Sequence, residues 1–264
     1  MTRFGVITSR DNAQIKKAAK LAVSSRSRRE NGLFVVEGVR LCMDALATGL
    51  SVSVLFYTPR AAERYPDAVE ALRAAAEEAY ETAPPAFQKM SDTVSPQGVL
   101  CLCKIPARPG LEALDPAGRY AVLEHIGDPA NLGAVARTAE ALGIDGLVMS
   151  PDCCDPYSPK TLRAGMGALF RLPLFITEDF GTYLDSMKAK GIALYAALPR
   201  QDVQRVTEIV FGPGSAIVIG NEGNGLTAET EARCHPVTIP MAGRAESLNA
   251  AAAAAILMWE LLRV

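Results

Sequence analysis

Three segments combine residue types and spacings that could do chemistry: GDPANLGAVARTAEALG (127–143), GNEGNGL (220–226) and IPMAGRAESLNAAAAAAILMWE (239–260). In the first, Asp128 followed by Pro129 reads as a helix N-cap with proline in the first turn. Capping leaves Arg137 unexplained: a guanidinium set among Ala134, Ala136, Thr138 and Ala141, one turn past Gly133 and close to Asn131. Such an arginine can grip a phosphate or carboxylate with two parallel hydrogen bonds. In the second segment Gly220, Gly223 and Gly225 let backbone N–H groups come close to a ligand. Neither the Walker pattern nor the dinucleotide fingerprint is present, and Glu222 has no packing role inside a glycine loop. In the third, Gly243 makes a turn and Ser247 stands at an expected helix start with Asn249 beside it. Ser247 reads either as an ordinary N-cap or as a polar group of a site. Asn131, Arg137, Glu222, Ser247 and Asn249 contain no Ser-His-Asp set, no carboxylate cluster and no zinc set. They suit binding a polar organic cofactor and positioning a phosphate-bearing substrate, rather than hydrolysis.

Strand and helix signals alternate around these segments. Apolar, β-rich runs predict strands at 120–126, 146–150, 173–176, 192–198, 215–220 and 236–241. Helices are expected at about 131–142, 159–169, 178–190, 227–233 and 247–262. That alternation implies an α/β fold with a mostly parallel sheet covered on both faces. Such sheets bind ligands at the carboxyl ends of their strands, which places all five residues on one edge. In the last helix Ala251, Ala254, Ala255, Met258, Leu261 and Leu262 form a stripe expected to pack on the sheet. Residues 1–106 read as a smaller α/β unit, with helices at 11–22, 39–49 and 68–80 and strands at 33–38, 51–58 and 98–105. The breaker-rich stretch 107–118 reads as a linker, and 119–264 as the second domain.

The chain has 264 residues, and its 49% hydrophobic and 21% charged content excludes a disordered or fibrous protein. The net charge of −2 argues against a nucleic-acid partner only until it is divided. Residues 1–40 hold nine Lys/Arg and three acids, a sum of +6, which leaves −8 on the remainder. The positive end hints at an anionic partner. No secretory pattern is visible at the N-terminus, and the longest apolar run, 250–259, is about half a membrane span, so a cytoplasmic protein without a membrane partner is expected. The six cysteines form no C-x-x-C pair, and with His125 and His235 they complete no metal pattern. Adjacent Cys153 and Cys154 read as free thiols of a reduced compartment.

The ordered motifs NLGAVARTAEALG (131–143), IVIGNEGNGL (217–226) and IPMAGRAESLNAAAAAA (239–255) resemble the SpoU (TrmH) branch of the SPOUT superfamily, RNA ribose 2′-O-methyltransferases. SPKTLRAGMGALFRLPL (158–174) is a fourth family-like stretch, although Gly165 stands where related sequences often carry serine. ITSRDNAQIKKAAKL (7–21) and LFVVEGVRL (33–41) are similar to the family's ribosomal-protein-like substrate-binding domain. The resemblance covers nearly the whole chain. It implies a C-terminal trefoil knot, which general fold rules would never select, and a homodimer formed through the methyltransferase domain. The implied cofactor is S-adenosyl-methionine, held near Leu198, Gly220, Asn221, Glu222, Gly223, Ile239, Met241, Ser247 and Leu248, with no metal. Asn131, Arg137, Glu222, Ser247 and Asn249 match the family's catalytic positions. A guanidinium, with a pKa above about 12, is a poor base. Arg137 is therefore expected to clamp the target phosphate and stabilise the developing alkoxide, with Ser247 and Asn249 orienting Arg137 and the ribose. The proton acceptor stays open, with Glu222 one candidate. Arg10, Lys16, Lys17, Arg26, Arg28 and Arg29 are expected to contact RNA phosphates, and a separate substrate domain favours rRNA over tRNA. The alternatives are a tRNA 2′-O-methyltransferase and a catalytically silent RNA-binding or assembly factor of the same fold.

Overall fold

The computed structural model describes residues 3–221 and 223–263, with only the backbone of Arg3. The chain divides into two compact units, Met1–Ala107 with Asp155–Phe170, and Arg108–Cys154 with Arg171–Val264. Residues 155–170, expected with the second part, pack instead with the first unit.

The first unit opens with β1 (Arg3–Ile7), α1 (Ala13–Val23), α2 (Ser25–Asn31), β2 (Leu33–Glu37), α3 (Val39–Ala47) and β3 (Val52–Tyr57). It continues with α4 (Pro59–Arg64), α5 (Pro66–Ala75), β4 (Glu78–Thr82), α6 (Pro84–Met90) and β5 (Val99–Lys104). The five strands lie in the order β1-β4-β3-β5-β2. β1 and β3 run parallel to β4, while β5 runs antiparallel to both β3 and β2. The helix expected at 68–80 stops at Ala75, and β4 takes its last residues. Ala79 is buried where β4 pairs with strands on both sides, so sheet pairing overrides the helical composition. β1 and α6 have no counterpart in the sequence reading. Ile15, Ala18 and Leu21 of α1 pack into a core with Val35, Phe56, Phe87 and Leu100. This is the apolar stripe of an amphipathic helix, capped by Asn12 through the amide of Gln14.

The second unit contains β6 (Arg119–Leu123), α7 (Pro129–Leu142), β7 (Gly146–Met149), β8 (Leu174–Ile176), α10 (Phe180–Ala189) and β9 (Ala193–Ala197). It ends with β10 (Gln204–Arg205), β11 (Ser215–Ile219), α11 (Ala228–Glu231), β12 (His235–Thr238) and α12 (Ala250–Leu262). Between β7 and β8 lie α8 (Pro159–Gly165), in the first unit, and α9 (Ala168–Arg171), which ends at its boundary. The seven strands run in the order β10-β12-β9-β11-β6-β7-β8, and every pair is parallel. The expected α/β architecture with a mostly parallel sheet is therefore present, and all six strands foreseen in this part are there. The central strands β6, β7 and β11 are buried along nearly their whole length, as strands covered on both faces must be. α12 packs on α7, β11 and β6 through Ala254, Leu257, Met258 and Leu261. The small alanines let it lie close to its neighbours. All six cysteines are free thiols. No helix among the described residues is long and apolar enough to cross a membrane.

Candidate active site

The parallel register brings the ends of β6, β9, β11 and β12 to one edge of the sheet, and the expected site lies there. After β6 the chain turns sharply at His125, which has a left-handed φ of 57°. The Ser150 hydroxyl accepts the His125 N–H at 3.0 Å, and the ring is bonded to Asp152. Asp128 then caps α7, accepting the Ala130 N–H at 2.8 Å, with Pro129 in the first turn. Gly143 closes the helix in the left-handed conformation. The cap leaves Asn131 half-buried in the first turn of α7. Arg137 is exposed on the same helix, and among the described residues nothing holds its guanidinium.

The loop after β11 is organised by Asn221. Its backbone exchanges two hydrogen bonds with Gly225, of 3.1 and 2.9 Å. Its side-chain oxygen accepts the N–H groups of Gly223 and Asn224, and its Nδ2 donates to the His125 carbonyl at 2.9 Å. One side chain thus folds the glycine loop and fixes it to the neighbouring strand end. Gly220 is required by space: a Cβ there would sit 2.4 Å from Gly225 carbonyl atoms and 2.6 Å from the Leu226 nitrogen. Glu222 lies outside the described residues.

A second anchor holds the far end of this loop. Glu124 is 3% exposed, and its carboxylate accepts the Thr227 N–H at 2.9 Å and the hydroxyls of Thr227 and Thr230 at 2.8 and 2.6 Å. A buried charge is tolerated only when so satisfied. Glu124 is not among the residues that the sequence motifs single out. The signal available was a carboxylate at the end of an otherwise apolar strand.

The third segment departs from expectation. The last helix begins at Ala250, not 247, and Asn249 is its cap, accepting the N–H groups of Ala251 and Ala252. Asn249 Nδ2 donates to Asn131 Oδ1 at 3.0 Å. Asn249 is therefore engaged with its own helix and with Asn131, and no described contact joins it or Ser247 to Arg137. Ser247, released from a capping role, is exposed beside a cavity.

That cavity has a volume of about 490 Å³. Leu198, Gly220, Asn221, Gly223, Ile239, Met241, Ser247 and Leu248 all line it, with Leu257 adding to the apolar wall. Arg200, Glu231 and Glu246, absent from the sequence reading, supply charged groups. Arg200 is loosely held, 3.7 Å from both Asp202 and Glu231. Arg137, Asn131 and Asn249 are not part of the lining. Pockets for organic ligands commonly span about 300–1,000 Å³ with apolar walls and few polar groups, so a nucleoside-sized ligand fits. An apolar wall suits a purine, and two carboxylates beside one guanidinium suit a cation with a zwitterionic tail. Among the described residues no cluster of His, Cys, Asp or Glu could hold a metal.

The basic residues of the first unit separate into two kinds. Arg10, Lys17 and Arg29 are exposed and make no ion pair with a described residue. Lys16 pairs with Asp11 at 3.0 Å and Arg26 with Glu30 at 2.7 Å, both at the surface, where such pairs are weak. Arg28 is a correction. It is 3% exposed, donates to Asp155 at 2.7 Å and gives Nη1 to the carbonyls of Leu21 and Ala22. It pins the 155–170 segment inside the first unit, and its burial removes it from the surface that RNA phosphates could reach.

Comparison with known proteins agrees with this architecture. Residues 118–259 match the SpoU rRNA Methylase family, and residues 12–101 match the MRM3-like substrate binding domain. The chain belongs to the SpoU rRNA methylase family. The Bacillus subtilis 23S rRNA (guanosine(2553)-2′-O)-methyltransferase RlmP is 31% identical, with 97% of this chain and 98% of that protein covered. A Streptomyces viridochromogenes 23S rRNA (uridine(2479)-2′-O)-methyltransferase is 32% identical over 97% of this chain and 91% of its own length. The solved structure of the SpoU methyltransferase AviRb from Streptomyces viridochromogenes with AdoMet superposes with a TM-score of 0.85 at 28% identity, covering 95% of this chain and 97% of that one.

Proposed function

We propose that this family member, an RNA ribose 2′-O-methyltransferase that uses S-adenosyl-methionine, methylates ribosomal RNA with the cavity at the β9–β11–β12 edge holding its cofactor. The observation that carries this reading is the convergence of residues from two loops in family-like motifs, 220–226 and 240–248, and of residues 197–200 on one nucleoside-sized cavity. The bound cofactor supplies an activated methyl group on a sulfonium. The chain's own task is then positioning and removal of one proton. Leu198, Ile239, Leu248 and Leu257 would hold the cofactor's apolar base. Gly220 and the Asn221-folded loop would offer it backbone groups, and Met241 and Ser247 would complete its binding site. Asn131, steadied by Asn249, and exposed Arg137 receive the RNA. Arg137 clamps the target phosphate and stabilises the developing alkoxide, and Glu222 belongs to the loop that shapes the cofactor site.

The same reading includes the trefoil knot, a cytoplasmic location and a homodimer. An apolar stripe on α12 supports the dimer: Ala252, Ile256 and Trp259 share one helical face, and Trp259 is 61% exposed. Arg10, Lys16, Lys17, Arg26 and Arg29 provide the surface for RNA phosphates, whose contacts position the molecule and are salt-sensitive.

The test is Arg137→Ala. Methyl transfer to deproteinised ribosomal RNA should fall at least about tenfold, the scale of a lost charge-assisted contact, while calorimetric affinity for S-adenosyl-methionine persists. Turnover near wild type removes Arg137 from the mechanism.

A further inference from the structure

The first unit contains a second cavity, of about 260 Å³, that the methyl-transfer reading leaves unused. Its wall is mostly apolar. Leu41 of α3 and Met166, at the end of α8, face it, and Gly38 keeps it open. Gly38 has φ of 98°, and a Cβ there would come within 3.3 Å of Gln97 Oε1. Polar groups stand around this wall. Gln97 Oε1 accepts the Val39 N–H at 2.9 Å, which fixes the amide plane and leaves its Nε2 free of protein partners among the described residues. Arg40 is exposed and Asp44 half-buried, and neither side chain has a hydrogen bond or ion pair with a described residue. Arg163 donates Nη2 to Asp92 at 2.6 Å, while its Nη1 has no partner.

An apolar wall ringed by uncommitted donors and two carboxylates, Asp44 and a Glu37 already bonded to Ser91, Asp92 and Thr93, suits a small planar group with a polar edge. The volume falls below the roughly 300 Å³ at which pockets for larger organic ligands begin. Unstacked RNA bases have this chemistry: they lie on apolar or guanidinium planes and are read along their edges by amides, arginines and carboxylates. Six of its eight lining residues fall in the stretch that matches a substrate-binding domain, while Arg163 and Met166 fall in the SpoU match. The two named relatives, at 31% and 32% identity, act on a guanosine and a uridine. A ribose hydroxyl is common to both, so the choice of RNA must be read through groups other than the reacting one.

We propose that this cavity receives a single unstacked nucleobase of the RNA substrate, with Arg40, Asp44 and Gln97 reading its edge. The proposal rests on the RNA-methyltransferase reading for the identity of the polymer.

The test uses deproteinised large-subunit ribosomal RNA from cells lacking this chain, with two variants. Leu41→Trp fills the cavity and should weaken RNA binding at least about tenfold, as loss of one base contact does. Arg40→Ala removes an exposed, unpaired side chain and should raise the apparent KM for RNA about fivefold, with kcat and S-adenosyl-methionine affinity unchanged. Because both act on one base, the double variant should bind no worse than Leu41→Trp alone. With 4-thiouridine in the RNA, the cross-linked peptide should contain residues 38–44. If Leu41→Trp disturbs the circular dichroism spectrum, Arg40→Ala and the cross-link decide. The proposal is overturned if Arg40→Ala binds RNA like wild type and cross-links avoid 38–44, or if both variants weaken binding of a fully paired duplex equally. Absence of methyl transfer by the wild type would overturn the functional reading instead, and the RNA-binding comparison would still report on the cavity.

Discussion

Replacing Gly220 by alanine tests the cofactor loop where its geometry is tightest. The added methyl would lie 2.4 Å from both the carbonyl carbon and oxygen of Gly225 and 2.6 Å from the Leu226 nitrogen. All three are backbone atoms, so no side chain can swing aside. Relief requires the 221–225 turn to open, which breaks the paired hydrogen bonds between Asn221 and Gly225, of 3.1 and 2.9 Å. Two such bonds contribute about 1 kcal/mol each, so holding the loop in its binding form costs about 2 kcal/mol. That converts to a roughly 30-fold rise in the dissociation constant of S-adenosyl-methionine, measured by calorimetry. The fold should survive, because Glu124 still anchors Thr227 and Thr230 beyond the loop. Gly243→Ala is the control: nothing lies within 4 Å of a Cβ there, and affinity should match wild type. Gly220→Ala binding within about threefold of wild type, well short of a 1 kcal/mol effect, would refute the reasoning.

Two further outcomes follow from single side chains. Asn249→Asp keeps an N-cap acceptor but loses the donor to Asn131, so activity should fall with little change in Tm. Asn249→Ala should also lose about 1 kcal/mol of stability, measured by thermal unfolding, as a missing cap does. Arg28→Ala should destabilise the chain by about 3 kcal/mol, because Asp155 loses its buried partner. Removing Lys16, Lys17, Arg26 and Arg29 together should leave stability alone, weaken RNA binding and flatten its salt dependence.

The parallel sheet was legible because its central strands are buried on both faces and so read as unbroken apolar runs such as YAVL and SAIVI. β1 and β4 were not: at the edge of a five-stranded sheet, β1 exposes Phe4 and Val6, and β4 continues an alanine- and glutamate-rich run whose composition favours helix. Ser247 and Asn249 are both good caps two residues apart. Local preference could not choose between them, and the hydrogen bond to Asn131 on another helix favours Asn249. Arg28 stands in a basic run with Arg26 and Arg29, and only tertiary packing distinguishes the buried pin from its exposed neighbours. The loops proposed to hold the cofactor stand out by family motif, since glycines and amides reveal a ligand site without naming the ligand. Arg200, Glu231 and Glu246 join the cavity through folding that no local pattern encodes.

The central claim is methyl transfer to ribose in ribosomal RNA. The direct measurement is incubation of the purified chain with methyl-labelled S-adenosyl-methionine and ribosomal RNA from cells lacking it, followed by nucleoside analysis. The account predicts label in one 2′-O-methylnucleoside, at one position of ribosomal RNA. Label on a base, or label only in tRNA, would contradict it.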